Sequence, residues 1–219
     1  SITTISFDIS IMELFLPLIV GCKLIIASRR EQVDPKRLNK TIYEKNVSIM
    51  QATPITWELL LNDGCLKRNI KILCGGEALE NSLAKQMLSV SKNVFNLYGP
   101  TETTIWTSVS KIVNEEEITI GCPMENAKYM IFDEQMKQSM EGELYIGGEC
   151  LANGYRNNPE LTRERFIKNP LNGTKIYKTG DIVKFINGKY YYIGRDDFQI
   201  KLWVYVCIYC ETDSITVSQ

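Results

Sequence analysis

The spacing of apolar positions changes near residue 120, and this change predicts two parts with different secondary structure. In the first part, apolar stretches of helix length alternate with shorter ones of strand length. The predicted helices cover 11–20, 34–45, 53–61 and 79–90, and the predicted strands cover 23–27, 47–51 and 70–74. The helix over 11–20 is apolar enough to be buried and is expected to end at Gly21. This alternation favours a parallel sheet with helices packed on its faces.

The second part carries short strands with alternating polarity. They are predicted over 129–132, 143–146, 182–186 and 190–193. Asn187 and Gly188 separate the last two, and both residues tolerate the positive φ of a type I′ hairpin turn. The predicted fold class is therefore α/β, a parallel-sheet layer with flanking helices followed by a small antiparallel β subdomain. The predicted limits are 1–120, 121–200 and a tail over 201–219.

Composition removes several classes of function. The chain has 219 residues, 44% hydrophobic and 23% charged, with a net charge of -1. These values are typical of a soluble globular protein and give no reason to expect nucleic acid or a membrane as partner. The longest apolar stretch, 14–26, is interrupted by Pro17, Gly21 and Lys23 and is too short to span a bilayer.

Cysteine and histidine usage narrows the chemistry further. Seven cysteines, mostly far apart, favour buried thiols in a reducing compartment, so we expect a cytoplasmic protein. Cys207 and Cys210 form a single CxxC pair without a second pair to complete a zinc site. The sequence contains no histidine, which excludes Ser-His or Cys-His nucleophile chemistry carried by this stretch alone.

The most informative stretch is Asn-Leu-Tyr-Gly-Pro-Thr-Glu at 96–102. It combines an aromatic ring, a Gly-Pro turn, a hydroxyl and a carboxylate within seven positions. Such a loop can stack a planar base on Tyr98 and present Thr101 and Glu102 to phosphate and a divalent cation. An ordinary surface turn is the alternative, because Gly-Pro is a common loop dipeptide.

Four further segments accompany this loop in a fixed order. The five are Phe7-Asp-Ile-Ser10, 96–102, Gly-Glu-Leu-Tyr-Ile-Gly-Gly at 142–148 running on to Gly154-Tyr155, Tyr-Lys-Thr-Gly-Asp at 177–181, and Gly-Arg-Asp-Asp-Phe-Gln-Ile-Lys at 194–201. Together they resemble the adenylate-forming enzymes, and most closely the amino-acid adenylation domains of nonribosomal peptide synthetases. The resemblance covers residues 6 to 201 and implies a fragment of the adenylate-forming enzyme fold.

The resemblance implies a nucleotide site for ATP. Its residues would be Gly75, Gly76, Glu77, Asn96, Tyr98, Thr101, Asp181, Tyr192 and Arg195. The first five would form the adenine slot, where glycine lets backbone approach a flat ring. Thr101 would contact phosphate, Asp181 would contact the ribose, and Arg195 would contact the ribose or a phosphate. Tyr192 would pack on the other side of the nucleotide. An Asx-type turn is the alternative for Asp181.

Catalysis, by the same resemblance, would involve Thr101 and Glu102. Glu102 would be the metal ligand for Mg²⁺, a hard cation that prefers carboxylate oxygen. A solvent-facing loop carboxylate is the alternative. Asp197 matches the hinge about which a small C-terminal subdomain turns in this family.

Asp8 separates the subclasses, because the resemblance implies that it binds the α-ammonium group of an amino acid. A helix N-cap is the alternative, and one residue could do both. The side-chain pocket would be lined by Ile9, Met12, Gln51, Leu73, Gly75, Leu97, Ile105 and Trp106. This lining is apolar apart from Gln51, and Trp106 takes up space. We therefore expect a small or medium uncharged amino acid, since burying an unpaired charge is costly.

The implied parent enzyme joins an amino-acid carboxylate to AMP, releases pyrophosphate and passes the aminoacyl group to the phosphopantetheine thiol of a carrier protein. Its partners would be peptidyl carrier and condensation domains of the same synthetase. Two alternatives stay open. One is a related adenylating enzyme, such as an acyl-CoA ligase or an aminoadipate-type reductase. The other is a non-catalytic remnant.

Three departures from the family pattern bear on activity. The Lys-containing phosphate loop would precede residue 1, and the C-terminal subdomain with its catalytic Lys would follow the hinge. After Leu202 the family continues with Arg-Gly, whereas this chain reads Trp203-Val-Tyr-Val. A shifted reading frame near residue 203 is one hypothesis for the tail, and it fails if no neighbouring frame restores Arg-Gly.

We expect the 219-residue chain by itself to show no amino-acid-dependent ATP–pyrophosphate exchange, because both lysines implied by the resemblance lie outside it. The measurement is isotope exchange with each of the uncharged amino acids. Exchange above a boiled-protein blank would contradict the alignment to the family.

Overall fold

The computed structural model describes residues 1–62, 64, 66, 69–196, 199–202, 205–209 and 215–217, the last three ranges as backbone alone. The chain divides into two compact units, Ser1–Met124 and Glu125–Gln219. The sequence-based limits at 120 and 200 stay predictions. Within the described part of the chain, no helix combines the length and apolar character needed to cross a bilayer.

The first unit is a sheet with helices around it. Its helices are α1 (Ile9–Ile19), α2 (Arg29–Gln32), α3 (Pro35–Glu44), α4 (Pro54–Asn62) and α5 (Asn81–Val90). Its strands are β1 (Ile49–Ala52), β2 (Lys71–Gly75), β3 (Val94–Tyr98), β4 (Ser108–Ile112) and β5 (Cys122–Pro123), hydrogen-bonded in that order. β1, β2 and β3 are parallel, as predicted, whereas β4 and β5 add antiparallel pairs.

Local signals place several of these elements. Asp34 caps α3 by accepting hydrogen bonds from the backbone N–H groups of Lys36 (3.0 Å) and Arg37 (3.3 Å), and Pro35 follows as predicted. Ser28 and Glu31 form a reciprocal capping box at α2, a short helix that the apolar pattern did not predict.

Two expectations for the first 27 residues were wrong. Residues 23–27 form no strand. Ile25 O and Ala27 N hydrogen-bond to Ser1, Ala27 O accepts from the Gln32 side chain, and no described strand pairs with the segment. α1 is a helix but is not buried along its length. Only Ile9 and Ser10 are buried, because the C-terminal residues of α1 project away from the core of this unit.

The core of the first unit lies between the sheet and α3, α4 and α5. Ile72 and Val94, on neighbouring central strands, have no exposed surface, and neither does Trp57 of α4. The Trp57 indole N–H donates to the carbonyl oxygen of Leu73 at 3.0 Å. α4 is thereby fixed on β2, whose carboxyl end carries Gly75.

The second unit is antiparallel. It contains β6 (Ala127–Phe132), β7 (Glu141–Gly148), α6 (Pro159–Arg165), β8 (Phe166–Lys168), β9 (Lys175–Ile186) and β10 (Lys189–Arg195). The sheet order is β10-β9-β7-β6, with β8 also paired to β9. Asn187 and Gly188 join β9 to β10 with φ of 51° and 79°, as the predicted type I′ turn requires. A separate sheet contains β11 (Gln199–Leu202), β12 (Tyr205–Tyr209) and β13 (Ile215–Val217).

Replacing Ile72 by alanine should lower the free energy of unfolding of the first unit by about 2–5 kcal/mol, because it leaves a cavity on a central strand. Ile55→Ala is the matched control, since Ile55 is 42% exposed on α4 and its loss should cost about 0.5 kcal/mol or less. Urea unfolding of the two variants measures both. Equal losses would place Ile72 outside the core.

Candidate functional site

The predicted site residues of the first unit gather at one edge of its sheet. Because β1, β2 and β3 are parallel, their carboxyl ends meet there, as in other open α/β sheets that bind ligands. Gln51 lies near the end of β1, Gly75 ends β2, and Tyr98 ends β3. The segments 76–77 and 99–106 follow the last two strands directly.

A small hydrophobic cluster at this edge contains the apolar residues of the predicted amino-acid pocket. Ile9, Leu97 and Trp106 are its buried members. Phe7, Met12, Leu73, Ile105 and Met124 pack against them. The structure therefore brings the apolar residues of the predicted lining together. It adds Phe7, which was quoted only as part of a motif, and Met124, which the sequence did not single out.

Trp106 fills the space beside Gly75. A Cβ atom placed on Gly75 would lie 2.7 Å from Cη2 of Trp106 and 2.6 Å from the carbonyl oxygen of Leu97. Any larger residue at position 75 would have to displace the indole or the backbone of β3. Gly75 is thus required by the packing of the protein's own indole ring, a reason different from the adenine approach that we expected.

Gln51 holds the indole in place. The Nε1–H of Trp106 donates to Oε1 of Gln51 at 2.8 Å, and both side chains are buried. Nε2 of Gln51 donates to the carbonyl oxygen of Ile9 at 3.0 Å and to Oε1 of Glu13 at 3.2 Å. The amide therefore connects β1 with α1 and with the loop that carries Trp106.

Glu13 has a place in this network that the sequence reasoning missed. Its Oε2 accepts the backbone N–H groups of Ile2 at 2.7 Å and Thr3 at 3.1 Å, while its Oε1 faces Gln51. Glu13 is the single charged residue between Ile9 and Cys22. A lone carboxylate in so apolar a stretch is a signal that could have identified it, because a partly buried charge needs partners.

Asp8 lies at the N-terminus of α1, directly before Ile9, a buried member of the hydrophobic cluster. It occupies the N-cap position, but its backbone is helical and its carboxylate makes no capping hydrogen bond. The N-cap alternative is therefore wrong for the side chain of Asp8, which is half-buried. The helix terminus would favour a negative charge at this position in any case.

The loop after β3 has an unusual backbone. Thr101 to Thr103 form a single 3₁₀ turn, and the next two residues, Thr104 and Ile105, have φ of 63° and 71°. A positive φ is uncommon for non-glycine residues and costly for a β-branched one such as Ile105. Gly99 allows residue 105 to fold back against residue 99, because a Cβ on Gly99 would lie 2.3 Å from the carbonyl oxygen of Ile105. The strained pair turns the chain so that Ile105 and Trp106 enter the pocket cluster.

The residues expected to contact adenine lie on β2 and β3 or immediately after them. Gly76 has a φ of 93°, which explains glycine at this position, and Glu77 is exposed. Asn96 is buried, and its Nδ2 donates to the carbonyl oxygen of Thr119 at 2.9 Å. Tyr98 is half-buried at the end of β3. Because β2 and β3 are adjacent strands, these residues lie along one short stretch of the sheet edge.

Thr101 and Glu102 lie in the 3₁₀ turn, with Thr101 exposed and Glu102 half-buried. Among the described residues, no three His, Cys, Asp or Glu side chains come close enough to hold a metal ion by themselves. The predicted site therefore offers Mg²⁺ one protein carboxylate, that of Glu102. Mg²⁺ often binds in this way, completing its shell with water and substrate phosphates.

In the second unit, Asp181 and Arg195 form an ion pair. They lie opposite each other on β9 and β10, and Nη1 of Arg195 is 2.8 Å from Oδ1 of Asp181. Nη2 of Arg195 donates to the carbonyl oxygen of Thr179 at 3.1 Å. Asp181 is only 6% exposed. Tyr192 is on the same strand as Arg195, with a register shift between Tyr192 and Gly194.

Glu143, which the sequence reasoning quoted only as part of a motif, supports the backbone of β9 next to Asp181. Its Oε1 accepts the backbone N–H of Gly180 at 2.8 Å, and its Oε2 accepts the hydroxyl of Tyr145 at 2.9 Å. Burial, with the Glu143 carboxylate beside it, raises the pKa of the Tyr145 hydroxyl, so that the tyrosine stays a hydrogen-bond donor.

A shallow, open cleft of about 560 Å³ lies elsewhere in the second unit, lined by residues of 153–159 with Thr162 and Arg163. None of the predicted site residues lines it. The predicted hinge residue, Asp197, lies outside the described residues.

Comparison with known proteins assigns the chain to a family. A model of the family described as AMP-binding enzyme matches residues 1–156. The chain belongs to the AMP-binding enzyme family. The resemblance inferred from the five motifs, and the adenylate-forming fold that it implied, are thereby confirmed.

The curated relatives of this AMP-binding chain are peptide synthetases. It is 40% identical over 208 residues to the PKS-NRPS hybrid synthetase acdB of Aspergillus candidus, and 40% identical over 213 residues to a dimodular nonribosomal peptide synthase of Bacillus subtilis. Each alignment covers 92% of this chain. The chain spans only 8% and 9% of the lengths of these two relatives.

Solved structures agree with this AMP-binding assignment. A four-domain nonribosomal peptide synthetase, holo-AB3403 bound to AMP and glycine, superposes with a TM-score of 0.86 at 39% identity, over 91% of this chain and 16% of that one. The Vibrio cholerae adenylation domain AlmE, in complex with glycyl-adenosine-5'-phosphate, gives a TM-score of 0.80 at 28% identity, over 91% and 40%. The structural neighbours are thus adenylation domains.

Thr104→Asn should raise the free energy of unfolding of the AMP-binding chain by about 1 kcal/mol, because asparagine adopts a positive φ at lower cost than threonine. Thermal or urea unfolding measures the change. Thr56→Asn on α4 is the comparison, since a helical φ gives asparagine no such advantage. Loss of stability in Thr104→Asn would show that the threonine side chain outweighs the backbone strain.

Proposed function

We propose that this chain is part of an amino-acid adenylation domain that activates glycine. In this reaction a carboxylate oxygen of the amino acid attacks the α-phosphorus of ATP, the bond to the β-phosphate oxygen breaks, and pyrophosphate leaves. The aminoacyl group of the adenylate then passes to a phosphopantetheine thiol on a carrier domain, releasing AMP. The observation that carries the proposal is the half-buried carboxylate of Asp8, next in sequence to Ile9, which packs in one hydrophobic cluster with Leu97 and Trp106.

Asp8 supplies recognition of the amino group. Its side chain makes no capping hydrogen bond, so its oxygens are not used by the first turn of α1. A charge-assisted hydrogen bond from an ammonium group to this carboxylate would be stronger than one between neutral groups. It would hold the substrate so that its carboxylate points away from α1, toward the nucleotide.

The choice of glycine follows from Trp106 and Gly75. The indole already occupies the space beside Gly75, and Gln51 fixes it there. Ile9, Leu73 and Ile105 complete an apolar lining that would reject a charged side chain. Two structural neighbours are described with glycine or a glycyl adenylate bound, which supports the same size of substrate.

The nucleotide would lie along the ends of β2 and β3. Tyr98 would stack on the adenine, Gly75, Gly76, Glu77 and Asn96 would complete its slot, and Thr101 would contact phosphate. Asp181 would contact the ribose, Arg195 the ribose or a phosphate, and Tyr192 would pack on the nucleotide. Asp197 would be the hinge. Glu102 would hold Mg²⁺, which neutralises triphosphate charge when bound. Peptidyl carrier and condensation domains of the same synthetase would be the protein partners.

The test uses the full-length product of the gene that contains this chain, in ATP–pyrophosphate exchange. We expect glycine to support exchange and acetate, which lacks the ammonium group, to fail. Asp8→Asn should lower kcat/KM for glycine by about a hundredfold, because it removes a charged hydrogen bond. Glu58→Gln, an exposed carboxylate on α4, is the control.

Two outcomes would overturn the proposal. Exchange with acetate equal to that with glycine would indicate an acyl-activating ligase. Direct ATP binding without exchange for any amino acid would indicate a non-catalytic nucleotide-binding protein.

A further inference from the structure

The orientation of the Gln51 amide is determined by its surroundings. Gln51 is 4% exposed, and each polar atom of its amide has a partner within the protein. The indole N–H of Trp106 can only donate, so it must face the amide oxygen. The amide nitrogen, with two hydrogens, then faces two acceptors, the Ile9 carbonyl and the Glu13 carboxylate.

Glu13 makes the opposite orientation of this amide unfavourable. If the amide turned over, its oxygen would face the Glu13 carboxylate and the Ile9 carbonyl, and its nitrogen would face the Trp106 N–H. Three favourable contacts would become repulsive, in a place where water cannot replace them. Glu13 is itself fixed from the other side by the backbone N–H groups of Ile2 and Thr3.

We propose that Glu13 is a positioning residue that sets the size limit of the amino-acid pocket. It orients the Gln51 amide, the amide holds the Trp106 indole, and the indole occupies the space beside Gly75 that a substrate side chain would need. The inference rests on the proposed function, since it names what decides the substrate of that site. Glu13 contacts no substrate in this account and acts only through Gln51 and Trp106.

The distinguishing readout is a ratio of kcat/KM values, glycine over alanine, measured with the full-length gene product. Such a ratio does not change with the fraction of folded enzyme. Glu13→Gln keeps the shape but replaces one carboxylate oxygen by an NH₂ group. The NH₂ group of the new amide must face either the NH₂ group of Gln51 or the backbone N–H groups of Ile2 and Thr3. Either arrangement places a donor against a donor. We expect the ratio to fall by about tenfold as the indole is released. Gln51→Leu, which has no acceptor for Trp106, should have the same effect.

Exchanging the residues at positions 13 and 51 tests whether the glycine-over-alanine ratio can be restored. Gln51→Glu alone places two carboxylates against each other and should also lower the ratio. In the double variant, Glu13→Gln with Gln51→Glu, the new amide at 13 donates to the new carboxylate at 51. The second oxygen of that carboxylate accepts the Trp106 N–H. The first oxygen still faces the Ile9 carbonyl oxygen, so only part of the ratio should return. Glu58→Gln is again the matched control.

A second measurement observes Trp106 directly. The protein is labelled with fluorotryptophan, and the resonance of Trp106 is identified by its loss in Trp106→Phe. We expect this resonance to shift in Glu13→Gln and not in Glu58→Gln. Equal losses of kcat/KM for glycine and alanine in Glu13→Gln, with an unshifted resonance, would overturn the inference. If the wild-type protein activates no amino acid, the proposed function fails, and the resonance alone decides whether Glu13 positions Trp106.

Discussion

The parallel pairing of β1, β2 and β3 is the constraint on which the rest of the site depends. Parallel strands bring their carboxyl ends to one edge, so three segments that are far apart in sequence end side by side. Gln51, Gly75 and Tyr98 are near each other for this reason alone. The helices α4 and α5 fill the intervals between these strands and bury their apolar sides in the core.

Within that frame, one buried amide connects three parts of the first unit. Gln51 belongs to β1, its acceptors are on α1, and its donor is on the loop after β3. A buried polar group is stable only when its hydrogen bonds are satisfied. The amide therefore constrains β1, α1 and the loop after β3 to one mutual arrangement. The backbone of Thr104 and Ile105 is strained in that arrangement, and it delivers Trp106 to the amide. Local strain at this loop is thus compensated by packing and hydrogen bonds elsewhere.

In the second unit, an ion pair holds the predicted site residues in place. The hairpin of β9 and β10 places Asp181 opposite Arg195, and Glu143 on β7 accepts a hydrogen bond from the backbone N–H of Gly180, next to Asp181. The carboxylate of Asp181 is therefore buried with a cation beside it. Its orientation is fixed before any ligand arrives, which lowers the cost of ordering a binding site.

The sequence by itself determined the start of α3 at Asp34 and Pro35, the Asn187-Gly188 hairpin, the family and the set of apolar residues that cluster with Trp106. These depend on local backbone chemistry or on motifs in a fixed order. It did not predict the exposure of α1 or the absence of a strand at 23–27, because those depend on what packs or pairs with each segment. The partnership of Glu13, Gln51 and Trp106 was decided only by tertiary structure. Their side chains meet across separations of 38 and 55 residues, and no local pattern encodes which donor faces which acceptor.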